Sequence, residues 1–382
     1  MSSNRAGAYQ LQPTGYRAFI PMPLPPDPPV AMDEEMQSLL SKADRTLGRL
    51  DGSIQTLPDH NLFVFMYVRK EAVLSSQIEG TQSSLNDLLE AEAEIFNENR
   101  PADVKEVLNY VKAMNYGLAR LEELPVSIRL IKEIHEKLLE GVRGRQLSPG
   151  ELRTSQNWIG PAGCTLNEAT FVPPPPANTI MQALGELEVF MHADGSLPAL
   201  IKTGLIHSQF ETIHPFLDGN GRVSRLLITF LLCEKEILQS PVLYLSYYFK
   251  RNRQEYYRLL QDVRDNGAWE KWLKFYLRGI SEVAAEATET ARRIVSLREE
   301  HRQLITNNFG RVAGNGLMVL EQLFKRPIIT VNNVVDLIGH SYTTANSLIS
   351  KFIETDLLVE VTGHIRNRRF RYSKYIDLFS EQ

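Results

Sequence analysis

The sequence predicts a mainly α-helical protein with a β-hairpin set into its helical core and a small unit of helices and a β-wing at its C-terminal end. Three observations carry this expectation. Apolar residues recur at three- and four-residue spacing through most of residues 33–304. Strand-like runs are confined to two places, around residues 150–176 and 357–372. Between them, the run HPFLDGNGRVSR at 214–225 leads through a glycine-rich turn into an apolar helical stretch at 222–233.

At 382 residues the chain exceeds one ordinary core, so two or three domains are expected. Hydrophobic residues at 43% and charged residues at 23% suit a globular protein rather than a disordered or fibrous one. A net charge of −4 excludes a strongly basic nucleic-acid coat, and any nucleic-acid contact needs a local patch. Cys164 and Cys233 give neither a disulfide framework nor a CxxC zinc site, which points to a reducing cytosol. The most apolar run, 226–233, falls far short of the roughly 18 residues that span a bilayer. The start, MSSNRAGAYQLQP, lacks the apolar segment of a signal peptide, so a cytoplasmic location without membrane contact is expected.

Residues 1–32 end in IPMPLPPDPPV, whose prolines favour extended backbone and give an arm lying on the surface. Residues 33–100 are expected to hold N-terminal helices: one with Met36, Leu39, Leu40, Leu47 and Leu50 on a face, one from about His60 to Ile78, and a charged one ending near Asn97. In the second, Ser75 and Glu79 share a face and Gly80 supplies a stop. Amphipathic helices follow at 101–123 and 127–140. Then GELRTSQNWIG at 150–160 and TFVPPPP at 170–176 read as the two strands of a hairpin, its turn lengthened by residues 161–169.

Helices at 177–191 and 197–213 deliver His214 at their end. His207, two turns earlier, reads as a packed or hydrogen-bonded histidine, since no third metal ligand is apparent. Aromatic residues crowd 244–260, and an amphipathic helix from Ala268 closes a unit spanning 101–280. Residues 281–310 alternate in charge and read as a solvent-washed helical linker. In the unit at 311–382, helical patterns at 316–325, 330–338 and 341–356 precede strand-like runs at 357–362 and 365–372 around a turn at Gly363-His364. A second glycine pair, Gly314-Asn315-Gly316, lacks flanking His, Asp and Arg and reads as a plain turn.

The chemistry concentrates in 214–225. Gly219, Asn220 and Gly221 can adopt backbone angles that aim successive N–H groups into one concavity, and the start of the following helix favours an anion there. Arg222 and Arg225 share a helix face and suit bidentate contact with phosphate. Asp218 offers hard oxygens beside those phosphates, the usual way of holding magnesium. His214 titrates near neutral pH and can take a proton from an incoming hydroxyl. Together they form a phosphoryl or nucleotidyl transfer site.

HPFLDGNGRVSR resembles HPFx(D/E)GNGRxxR, the motif of Fic-domain protein adenylyltransferases, at every fixed position. Residues 75–80, SSQIEG, resemble the inhibitory helix of that family, (S/T)xxxE(G/N). The resemblance covers about residues 61–278. It implies a Fic-type helical core with a β-hairpin flap, and transfer of AMP from ATP to a Ser, Thr or Tyr hydroxyl of a target protein or of the chain itself, with release of pyrophosphate. By the resemblance His214 is the general base and Asp218 the Mg2+ ligand. Gly219, Asn220, Gly221 and Arg222 hold the α- and β-phosphates of ATP, and Arg225 the γ-phosphate.

Tyr256 and Tyr257 fall where the family carries an aromatic pair near the adenine. Ile159, Gly160, Phe171, Val172 and Pro173 would form the flap that aligns the target backbone by strand addition. Ser75, Glu79 and Gly80 would inhibit, with Glu79 pairing Arg225 in place of the γ-phosphate. The C-terminal helices and wing resemble a winged helix-turn-helix domain, with TTANSLISKF at 343–352 as its groove-reading helix. Arg366, Arg368, Arg369 and Arg371 lie on the wing, yet residues 316–382 carry eight Lys/Arg against seven Asp/Glu. That balance fits weak DNA contact, or a protein or dimer contact. A homodimer stays open, as do two rivals: removal of AMP with Glu79 positioning a water, and a DNA-binding regulator whose Fic unit senses nucleotide.

Overall fold

Two long helices frame the molecule, α1 (Glu34–Gln55) and α11 (Trp269–Asn308), packed along each other. The computed structural model describes residues 5–55, 61–95, 98–142, 148–161, 163–176, 178–363 and 366–380. His60, Asn97, Ala177, His364 and Ile365, where expected elements began, ended or turned, lie outside the described residues. On α1 the buried residues Met36, Ala43, Leu47, Leu50 and Ile54 keep the helical spacing that the sequence suggested.

Between these helices come α2 (Asn61–Ile78), α3 (Leu85–Glu92), α4 (Val104–Arg120), α5 (Ile128–Leu138), α6 (Asn178–His192), α7 (Ala199–Ile213), α8 (Asn220–Glu234), α9 (Ser246–Arg251) and α10 (Arg253–Asn266). The pair α7 and α8 forms the centre, buried nearly all round although each carries polar residues, among them His207, Gln209 and Glu211 on α7 and Asn220, Arg222 and Arg225 on α8. Helix α2 lies across it, packed on α4 and α9.

The stretch expected as a helical linker is helical, but it is not solvent-washed on every side. Helix α11 runs unbroken through residue 280, and Val283, Ala284, Ala287, Ala291 and Ile294 are buried. These small apolar residues form a continuous stripe beneath the alternating charges, which dominate the composition while covering only the outer face.

The arm also differs from expectation. β1 (Gly7–Leu11) and β2 (Arg17–Pro21) pair antiparallel, from Gly7↔Pro21 to Leu11↔Arg17. Ala18 and Phe19 are fully buried, the Phe19 N–H donates to the Val172 carbonyl at 2.9 Å, and Arg5 pairs with Glu270 at 3.0 Å. The proline-rich composition of the segment hides this short alternating stretch. The hairpin expected at 150–176 narrows to one antiparallel bridge, Ile159↔Phe171, closed by N–H to carbonyl bonds of 2.8 and 3.0 Å. Prolines at 173–176 have no N–H with which to extend the ladder.

The C-terminal unit runs α12 (Ala313–Lys325), β3 (Ile328–Thr330), α13 (Val331–Ile338), α14 (Tyr342–Glu354), β4 (Val359–Glu360), β5 (Arg369–Arg371) and α15 (Ser373–Ile376), its antiparallel sheet ordered β3-β5-β4. Gly314-Asn315-Gly316 is the first turn of α12 rather than a plain turn before it. The unit sits against α2, where the Tyr67 ring meets Phe379 edge-on at 5.4 Å; the Tyr67 hydroxyl reaches α11 instead, donating to the Ala287 carbonyl at 2.8 Å. Among the described residues no helix is long and apolar enough to cross a membrane.

Candidate active site

Helix α7 ends on His214, held in the left-handed region at φ 48° and ψ 60°. The chain then turns through 215–219 and enters α8, whose N-cap Gly219 sits at φ 77°. With no side-chain cap there, the first-turn amides are the groups that favour an anion. Two details correct the expected phosphate contacts. The Asn220 side chain faces inward, taking the Phe216 N–H and donating to the Phe216 carbonyl, both at 2.8 Å, so it pins the loop. The Gly219 N–H donates to Asp218 Oδ1 at 2.7 Å.

Arg225 is buried. Its Nε donates to Ser75 Oγ at 2.7 Å, and its Nη2 to the Ser75 carbonyl at 3.0 Å and to Glu79 Oε1 at 2.6 Å. Burial pulls this guanidinium down, but Glu79 together with Tyr256, Tyr257 and Glu211 outweighs it, and the net shift is upward. Ser75 and Glu79 stand on the end of α2, and the chain leaves through Gly80 at φ 102°. A Cβ on Gly221 would stand 2.2 Å from Glu79 Oε1, so only glycine lets the carboxylate lie over the start of α8. Arg222 donates to Glu106 Oε2 at 3.0 Å, and its Nη2 lies 3.6 Å from Asp218 Oδ2. Glu106, on the first turn of α4, carries no local sequence signal.

Asp218 keeps one carboxylate oxygen off the backbone, on a side chain 43% exposed. That donor set fits a magnesium ion held by one carboxylate together with nucleotide phosphates, a mode needing no cluster of protein ligands. Among the described residues there is no group of three metal-ligating side chains. His135 steadies this corner: its ring stacks on Phe216 at 3.7 Å, its Nδ1 accepts the Gly150 N–H at 2.9 Å, and its Nε2 lies 3.0 Å from the Asp218 carbonyl. The Gly150 bond assigns the proton to Nε2.

The His214 imidazole is pushed down to about 3, first by burial and then by the guanidiniums of Arg153 and Arg264. It is therefore neutral at physiological pH, and its Nδ1 has no hydrogen-bond partner among the described residues. Sequence reasoning missed Arg153, a single arginine in an apparent strand, although its Nε donates to the His214 carbonyl at 2.9 Å. Beyond the Ile159↔Phe171 bridge, Gly160 stands on the first flap leg, and Val172 and Pro173 on the second.

Tyr256 is a correction. It is fully buried, stacked on Phe249 at 4.5 Å, with its hydroxyl 2.9 Å from His207 Nε2. Its ring faces are taken up by the core, as helical spacing of aromatics commonly dictates. Tyr257 is 40% exposed, and burial followed by Glu79 raises its phenol to about 12, which places it beside the cleft. His207 also lies near the Ser224 carbonyl at 3.2 Å, the hydrogen-bonded histidine that the spacing suggested.

Fold and geometry together define a class: a helical protein whose central helix opens on an anion-suited cleft covered by its own upstream helix. The pattern described as the Fic/DOC family N-terminal matches residues 37–119, and that of the Fic/DOC family matches residues 125–232, together about half of the chain. This chain belongs to the Fic/DOC family. It is 28% identical over 209 residues to a probable protein adenylyltransferase of Aquifex aeolicus, covering 53% of this chain and 57% of that protein. It is 29% identical over 224 residues to the protein adenylyltransferase Fic of Drosophila willistoni, covering 53% and 41%. The match thus spans about half the length of these relatives. A crystal structure of a Fic family protein from Desulfovibrio desulfuricans G20 aligns at TM-score 0.58 and 17% identity over 90% of this chain and 97% of that one, which shows a shared fold.

Proposed function

We propose that this protein transfers AMP from ATP to a Ser, Thr or Tyr hydroxyl of a target protein, releasing pyrophosphate, and that Glu79 restrains the reaction. One observation carries the reading: a carboxylate from the family's N-terminal region grips Arg225 across the uncapped start of the helix that follows His214 and Asp218. In the reaction the first-turn amides of α8 and Arg222 take the α- and β-phosphates. Arg225 takes the γ-phosphate once Glu79 yields. The attacking hydroxyl gives its proton to the neutral His214, a form of catalysis worth roughly a hundred- to ten-thousandfold. Mg2+ held by Asp218 and the phosphates would supply charge neutralisation when bound.

While Glu79 is in place, its charge stands where the γ-phosphate must lie and removes the guanidinium that would bind it. A pair of this kind is released at a cost of a few kcal/mol, within reach of a ligand or partner. Glu79→Gly is expected to raise incorporation of label from α-labelled ATP by about tenfold or more. Adding His214→Ala should abolish it. Absence of incorporation by the Glu79→Gly protein with Mg2+ and ATP counts against the reading.

For the C-terminal unit we favour a winged-helix contact with protein over DNA. Arg368 donates to Asn346, Arg371 stands 3.6 Å from Asp377 and Arg369 4.0 Å from Glu94, so three of the four wing arginines are engaged within the chain.

A further inference from the structure

Two guanidiniums beside His214 are buried without an ion pair among the described residues. Arg153 spends its fork on three carbonyls: Nε on His214 at 2.9 Å, Nη1 on Ser155 at 3.3 Å and Nη2 on Pro174 at 2.5 Å. Its own N–H donates to the Pro215 carbonyl at 3.0 Å. Arg264 holds the last turn of α7, donating to Thr212 Oγ1 and to the Glu211 carbonyl, both at 3.2 Å, and its guanidinium lies 3.8 Å over the Phe171 ring. A buried cation without a direct ion pair costs stability even where, as for Arg264, the buried Glu211 carboxylate lies near enough to favour its charge, so its retention at a cleft calls for a functional account.

The contacts supply one. Ser155 belongs to the first flap leg, Phe171 and Pro174 to the second, and His214 to the end of α7, so the two arginines tie both legs to the residue placed as base. We propose that Arg153, with Arg264, is a positioning residue that fixes the flap edge against His214, so that a target segment laid on the edge presents its hydroxyl in register with the imidazole. This rests on the transferase reading above. Burial pulls both guanidiniums down to about 10, leaving them cationic, and their charge helps to keep His214 unprotonated.

The test uses the full chain and separates the clamp from the chemistry. Arg153→Gln is expected to speed amide exchange at Ile159 and Phe171 by about tenfold or more while α8 amides hold their rate. In the Glu79→Gly background it should lower label incorporation from α-labelled ATP by about a hundredfold with ATP affinity kept within about threefold. The acid limb of its pH profile should move up by about one unit as His214 loses a neighbouring charge. Arg153→Lys, which keeps the charge without the fork, should restore the acid limb but leave exchange fast, and it serves as the reading variant if Arg153→Gln does not fold. Unchanged flap exchange overturns the proposal, and so does a loss of ATP affinity that parallels the loss of incorporation. If the Glu79→Gly parent incorporates no label, the transferase reading fails and the clamp is decided by exchange alone.

Discussion

Glu71 is a buried carboxyl with three hydrogen bonds from two residues and, among the described residues, no ion pair: it accepts from the Tyr110 hydroxyl at 3.2 Å, from the Ser246 N–H at 3.1 Å and from the Ser246 hydroxyl. Burial pushes it up to about 7 against the pull of Ser246 and Arg225. An unfolded glutamate releases its proton near pH 4.3. Between those limits the folded chain holds a proton that the unfolded chain has lost, so stability falls as pH rises through this window. The melting temperature of Glu71→Gln relative to the parent should therefore climb as pH rises from about 5 to 7.5, read by circular dichroism. The histidines act in the opposite direction. His135, His207 and His214 are held down to about 4, 3 and 3, burial first in each case, so the unfolded chain takes up protons below about pH 6.5 and stability falls toward acid. A melting temperature that rises from pH 6.5 to 4.5 would contradict this.

At the scale of elements, the flap depends on a strand from the far end of the sequence. Phe19 on β2 donates its N–H to Val172 and packs its ring 6.1 Å from Phe171. Phe19→Ala removes a fully buried ring, at about 3–5 kcal/mol for a site that does not collapse. Limited proteolysis should then cut residues 150–176 faster than in the parent, and equal rates would argue that the hairpin does not brace the flap. The same elements mark what could be read beforehand. The cleft was legible where its parts lie in one run, from His214 to Arg225, because turn, helix start and charges are neighbours in the chain. Ser75 and Glu79 were legible only as a resemblance, since a helix end bearing a carboxylate has no meaning of its own. Arg153, His135 and Glu106 escaped notice because their partners stand 61, 83 and 116 residues away, and nothing local announces a long-range hydrogen bond. Tyr256 misled for the converse reason, since a core ring and a base-stacking ring share one helical spacing.

Across the whole molecule, α2 is held from two sides. Its front bears the pair with Arg225, and behind it Tyr67 meets Phe379 of the C-terminal unit and hydrogen-bonds α11. Since α1 and α12 both pack on α11 and α12 also packs on α2, calorimetry should give a single unfolding transition. Two well-separated transitions would mean that the units melt independently. The 40 residues of α11 extend about 60 Å, at 1.5 Å each, with no proline or break along the way. A strut of that kind leaves no slack between its ends: whatever grasps the exposed face of α14 takes hold of a handle whose bearing toward the cleft is already set.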